Sequence, residues 1–136
     1  MITKRMAIAA PVVFVTMAVI GSSAPAQSRR SRLMQRLDPD NDGTVDLDEA
    51  RKAGAALFDR LDRDHDGTLD ARELRGRVSA KELAAADPDH DGTLDKNEYL
   101  AIVERRFKAA NPDNDGTLDA KELATKAGRS LLLLLQ

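Results

Sequence analysis

The chain contains no cysteine and no tryptophan, and only one tyrosine, three phenylalanines and two histidines among its 136 residues. Without cysteine there is no disulfide framework, no thiolate nucleophile and no cysteine-ligated zinc or iron–sulfur site. Two histidines are too few for a histidine-rich metal site. An aromatic content of 3% allows one small, lightly packed core. Charge of one sign is not in excess either, because 21 Lys+Arg face 23 Asp+Glu. That balance excludes nucleic-acid binding by bulk basicity.

A long apolar run is also missing. The stretch Met6 to Ile20 is uncharged but falls short of the ~20 residues that span a bilayer. Lys4 and Arg5 precede it, and Ala24-Pro25-Ala26 follows with an A-x-A cleavage pattern, so the segment reads as a cleaved secretory signal. The expected division is a signal peptide over residues 1–26 and a single domain over 27–136, exported to the periplasm, with no membrane contact in the mature form. Arg29, Arg30, Arg32 and Arg36 would then form a solvated, mobile arm near the new N-terminus.

What is abundant is one repeated loop. Four copies occur, Asp38–Glu49, Asp62–Glu73, Asp87–Glu98 and Asn111–Glu122. Each fits the twelve-residue EF-hand loop, apart from the asparagine that opens the fourth. A hard cation needs six to eight oxygen ligands from a short segment. In this pattern, positions 1, 3 and 5 offer side-chain oxygens, position 7 a backbone carbonyl, position 9 a further oxygen and position 12 a bidentate glutamate.

The candidate ligands are therefore Asp38, Asp40, Asp42, Thr44, Asp46 and Glu49 in loop 1, and Asp62, Asp64, Asp66, Thr68, Asp70 and Glu73 in loop 2. Loop 3 offers Asp87, Asp89, Asp91, Thr93, Asp95 and Glu98, and loop 4 offers Asn111, Asp113, Asp115, Thr117, Asp119 and Glu122. Of the 23 acidic residues, only Asp48, Asp59, Glu82 and Glu104 lie outside these positions. Nearly all negative charge is thus placed where a metal would sit. Position 8 is apolar each time (Val45, Leu69, Leu94, Leu118), as expected where two loops pair through a short β-bridge.

The spacing is tight, with 12, 13 and 12 residues between successive loops. An exit helix, a linker and an entry helix need about twice that length. Leu47, Ala50, Gly54, Leu57, Phe58 and Leu61 form one apolar stripe at helical spacing, and Tyr99, Ile102, Val103, Phe107 and Ala110 form another. Each is expected to be one shared helix of ~15 residues, ~22 Å long. In the middle, a short helix over Ala71–Arg77 should end before a second starts at the capping box Ser79-Ala80-Lys81-Glu82.

Loops 1 and 2, at opposite ends of one helix, cannot pair with each other. The predicted fold is all-α, a compact helical bundle with the four loops at its ends, adjacent loops being joined by short shared helices. Loop 2 would meet loop 3, and loop 1 would meet loop 4. The terminal run Leu131–Leu135 reads as a last helical turn. Five consecutive leucines cover more than one helix face, so a self-association patch and a homodimer are the alternative.

On these features the chain from Arg36 onward resembles lanmodulin, a bacterial periplasmic family of lanthanide-binding proteins. The resemblance rests on the four loops with short spacers, proline at position 2 (Pro39, Pro88, Pro112), aspartate at position 9, Asn111 opening loop 4, and the stretches GRVSAKEL and KAANPDNDGTLDAKEL. Arg63 departs from it, standing where family members commonly have proline. The resemblance implies a preference for trivalent ions such as La, Ce and Nd, with Ca bound more weakly, and folding coupled to metal. It also implies a periplasmic uptake or methanol dehydrogenase system as partner.

Charge points the same way independently. Loops 1 to 3 carry five carboxylates each at their ligand positions, and Coulomb attraction grows with the product of charges, so extra negative charge favours a higher-charge ion. Proline at position 2 restricts the unbound loop and lowers its ordering entropy.

Two other binding roles remain open on sequence. One is a periplasmic calcium buffer or sensor using the same loops. The other is a structural module like the calcium-loop cohesin-binding domains, although those carry two loops. An enzyme is not expected, because His65 and His90 fall at loop position 4, where side chains face solvent. No nucleophile–base pair is visible.

Overall fold

A computed structural model describes residues 24–136. The expected export segment lies largely outside them. Within the described residues, helices α1 (Ala24–Leu37), α2 (Leu47–Leu61), α3 (Ala71–Leu74), α4 (Ala80–Ala86), α5 (Lys96–Ala110), α6 (Ala120–Leu123) and α7 (Lys126–Leu132) alternate with the four loops. Four two-residue strands complete the fold: β1 (Val45–Asp46), β2 (Thr68–Leu69), β3 (Leu94–Asp95) and β4 (Thr117–Leu118).

The two long spacers are single helices, as the apolar stripes predict. Both α2 and α5 have 15 residues, or ~22 Å at 1.5 Å per residue. Each starts on a loop aspartate: Asp46 and Asp95 accept the backbone N–H of Glu49 and Glu98, whose side chains bond back to the cap. Asp and Glu three apart thus satisfy two orphan amide groups at each helix start.

The buried stripes face each other across the bundle. Phe58 and Tyr99 meet edge-to-face with ring centroids 5.6 Å apart, a favoured aromatic arrangement. Gly54 makes this approach close, because a Cβ there would lie 3.0 Å from Val103 Cγ2.

Strand pairing follows the predicted crossing. Val45 pairs with Leu118 and Asp46 with Thr117, so loop 1 joins loop 4. Thr68 pairs with Asp95 and Leu69 with Leu94, so loop 2 joins loop 3. The position-8 side chains Val45, Leu69, Leu94 and Leu118 are fully buried, tying each pole of the bundle to its core.

Four expectations change. The arginine-rich N-terminal segment is helix α1, not a mobile arm. Leu33 and Met34 pack on the core, Leu37 is buried, and Arg29, Arg32 and Arg36 stay exposed. An apolar face at helical spacing outweighs the solvation of its arginines, which are themselves good helix formers.

Helix α3 stops at Leu74, short of Arg77, because Arg75 (φ 48) and Gly76 (φ 74) turn left-handed. Ser79 caps α4 as expected, through Glu82 N at 3.2 Å. The Glu82 carboxylate, however, does not close a capping box. Arg105 and Arg106 draw it across to α5 at 3.1 and 2.6 Å, and a charge-assisted pair outcompetes a neutral amide for a carboxylate.

The leucine run is mostly core. Leu131, Leu132, Leu134 and Leu135 are buried, and Leu133 alone among them is 48% exposed. The run leaves the helix through tighter turns, with Leu134 N bonded to Leu131 O and Leu135 N to Leu132 O. Residues three apart then stack on one side. No helix among the described residues is long and apolar enough to cross a membrane.

Candidate metal centre

Each loop is shaped before any cation is considered. In loop 1 the chain turns left-handed at Asn41 (φ 61) and Gly43 (φ 89), which brings the Gly43 amide to Asp38 Oδ2 at 2.8 Å and the Asp42 amide to Asp38 Oδ1 at 3.1 Å. Loop 3 repeats this through Asp87, with Gly92 at 2.8 Å and Asp91 at 3.2 Å. Position 4 is left-handed in all loops (Asn41, His65, His90, Asn114). Asn and His tolerate that conformation better than most residues. His65 and His90 therefore shape the turn, and both are exposed.

Three of the four loops gather carboxylates. Oxygens of Asp38, Asp40 and Glu49 lie within 4.8 Å of one another, as do those of Asp87, Asp89 and Glu98. In loop 2 the group is Asp62, Asp64 and Asp66 instead. No such group of three forms at loop 4 among the described residues. There the neutral Asn111 replaces the aspartate of position 1.

The remaining expected ligands hold the frame. Thr44, Thr68, Thr93 and Thr117 donate their hydroxyls to the position-5 aspartates Asp42, Asp66, Asp91 and Asp115 at 2.7 to 3.1 Å. Sequence reasoning assigned these threonines only a backbone carbonyl, although the recurrent Asp-Gly-Thr carries the hydroxyl contact. The position-9 aspartates Asp46, Asp70, Asp95 and Asp119 cap α2, α3, α5 and α6. Their charge stays beside the site, but one oxygen of each is committed to a helix start. Asp113 remains an exposed loop residue, bonded by the Asp115 amide at 3.3 Å.

Crowding of like charges registers in the acidities. Asp40 and Asp89 are pushed above the ordinary carboxylate value, first by hydrogen bonds shared with Asp38 and Asp87. Burial raises Glu49, and the nearby charges of Asp46, Asp40 and Asp38 add to it. In Glu98 the Asp95 amide bond works downward but is outweighed by burial and the charges of Asp95, Asp89 and Asp87. These groups repel one another in the ionised form and would be relieved by a cation.

Three buried oxygens show what is missing from the hydrogen-bond pattern. Glu49 Oε1, Asp62 Oδ1 and Asn111 Oδ1 are buried without a hydrogen-bond partner, on residues only 8%, 8% and 6% exposed. A buried, unpaired oxygen is costly. Three of them, all at loop positions 1 or 12, fit a cation that takes oxygen ligands. The set offers no sulfur and no imidazole in place, which suits a hard ion and not a soft one.

A family model described as EF hand matches residues 55–85. That stretch runs from the middle of α2 through loop 2 to α4. The match and the acidic clusters together support metal binding by EF-hand loops. No curated protein matches the chain.

Proposed function

We propose that this protein selectively binds trivalent rare-earth ions through its four loops, gaining its compact form as it does so. The reading is carried by the buried, unpartnered oxygens Glu49 Oε1, Asp62 Oδ1 and Asn111 Oδ1 within loops that place four or five carboxylates at their ligand positions. Such sites have charge to neutralise beyond what a divalent ion supplies, and the attraction scales with ionic charge. The resemblance to lanmodulin supports the same preference, with La, Ce or Nd as cargo and Ca bound more weakly. Binding, not catalysis, is the role this chemistry suits, because carboxylates saturated with metal make poor general acids or bases. In this reading the segment over residues 1–26 directs export to the periplasm, where an uptake or methanol dehydrogenase system would be the partner.

A calcium buffer or sensor is the second reading, favoured by the EF-hand match over residues 55–85. Competition dialysis against lanthanum and calcium decides between them. The rare-earth reading expects lanthanum to be retained against a large calcium excess. Equal affinities would end it and leave calcium as the ligand.

A further inference from the structure

Loop 2 differs from its siblings at one backbone atom. Pro39, Pro88 and Pro112 at position 2 have no N–H to donate. Arg63 has one, and it donates to Glu73 Oε1 at 3.0 Å. The other oxygen, Glu73 Oε2, accepts from Asp70 N at 3.2 Å, so both oxygens of the closing glutamate are held by main chain. In loop 1 the corresponding Glu49 Oε1 is buried and unpaired. The carboxylate groups follow suit: those of loops 1 and 3 include the closing Glu49 and Glu98, whereas that of loop 2 omits Glu73.

We propose that the Arg63 backbone N–H latches Glu73 away from the loop 2 site, so that loop 2 fills after loops 1 and 3. The inference rests on the metal-binding reading above and adds to it the feature that ranks the sites. Position 12 must turn both oxygens toward a cation to close the loop, and in loop 2 that first breaks the Arg63 bond. The latch is the amide and not the guanidinium, since Arg63 is exposed and its charged end can turn to solvent. Each bridged pair then joins an open site to a hindered one. Loop 1 sits beside loop 4, where Asn111 lowers the charge. Loop 3 sits beside loop 2, where Arg63 holds the glutamate.

The test separates backbone from side chain in the full chain. Lanthanum is titrated while the amide resonances of Gly43, Gly67, Gly92 and Gly116 report each loop separately by NMR. In the unmodified protein, Gly67 should respond after Gly43 and Gly92. At two equivalents of lanthanum, with loops 1 and 3 filled, the Arg63 amide should be protected from exchange, and lose that signature only when loop 2 fills.

Arg63→Ala keeps the N–H and should leave the order unchanged. Arg63→Pro removes it and should tighten loop 2 roughly tenfold, the scale of one hydrogen bond to a charged group. Proline also stiffens the loop, so an amide-to-ester replacement at position 63 is the second arm. It deletes the N–H without adding a ring and should also tighten loop 2. If Gly67 moves together with Gly43 and Gly92, or the ester leaves loop 2 unchanged, the latch is overturned while metal binding stands. If Arg63→Ala tightens loop 2 as much as the ester does, the charge and not the amide is responsible. If no glycine responds to lanthanum or calcium, the metal-binding reading itself falls and takes the latch with it.

Discussion

The phenolic oxygen of Tyr99 donates a 2.9 Å hydrogen bond to the backbone carbonyl of Leu134, inside the core. This contact ties the chain's one tyrosine, on α5, to the leucine-rich end of the chain. Burial pushes the Tyr99 hydroxyl up to about 12, so it remains a donor throughout the physiological range. Tyr99→Phe keeps the ring against Phe58 but leaves the Leu134 carbonyl unpaired. The metal-loaded variant should lose about 1–3 kcal/mol of stability, measured by chemical denaturation. No loss would mean that water replaces the hydroxyl at no cost.

Metal should be required for the compact form. The core is poor in aromatics, and each pole brings two acidic loops together, with carboxylate clusters in both loops 2 and 3 at one pole and in loop 1 at the other. Neutralising those charges should stabilise the bundle strongly, so the metal-free chain is expected to show low helix content that rises on lanthanum addition. Far-UV circular dichroism checks this. A spectrum unchanged at saturation would refute coupled folding.

Loop 4 should be a weak site for a reason separate from loop 2. Asn111 offers a neutral oxygen, and loop 4 has four carboxylates at its ligand positions against five in each other loop. Asn111→Asp should raise fourth-site affinity, and Glu122→Gln should remove only a weak phase of a calorimetric titration. Four indistinguishable tight sites in the unmodified protein would show that charge count does not set affinity.

Protons should partly substitute for the cation. Asp40, Asp89, Glu49 and Glu98 all titrate above their ordinary values of 3.8 for Asp and 4.5 for Glu. A raised folded-state value means that the folded form binds the proton more tightly. The stabilisation is present in full below the unfolded value and is lost as pH rises through the folded one. Asp38 and Glu82 are lowered: burial works upward in both, but the Gly43 amide and the Arg106 pair outweigh it. Their contribution is lost only as pH falls through those lowered values. The metal-free protein should therefore be more helical and melt higher at about pH 4, near the ordinary carboxylate values, than at about pH 7. The reverse order in a thermal melt would contradict the charge-repulsion account.

Gly128 on α7 leaves room for the chain that precedes it. A Cβ there would overlap the Glu122 carbonyl and the Leu123 backbone, and backbone cannot swing aside as a side chain can. Gly128→Ala should cost about 1–3 kcal/mol or more, read from the denaturation midpoint of the loaded protein. Unaltered stability would mean that α6 and α7 can separate freely.

Much of this architecture was legible because several signals agreed. The stripe from Leu47 to Leu61 has one helical period and no breaker, so a single helix was the natural reading. That rigid length forced the crossed pairing of the loops. Features requiring two distant segments were harder to see. Nothing near Glu82 announces that Arg106, over twenty positions later, will take its carboxylate from Ser79. The Arg63–Glu73 bond was hidden differently: the residue drew attention for its charge, whereas its main-chain N–H, absent from proline, makes the contact. The burial of Leu131, Leu132, Leu134 and Leu135, with Leu133 left exposed, depended on how the chain leaves α7, which a run of identical residues does not encode.

The crossed pairing has a consequence for the order in which the chain can assemble. Leu69 and Leu94 belong to neighbouring stretches and can meet early, but Val45 bonds to Leu118. A nascent chain that has emerged only as far as Ala110 can build the inner pair, while the first loop to appear still lacks its strand partner. Contacts so far apart in sequence are slow to form. Cutting the chain near Gly76 would likewise leave two halves that each carry one loop from either pole, neither able to bridge its own. The two pieces should recover structure only when mixed, in contrast to a protein built from two self-contained lobes.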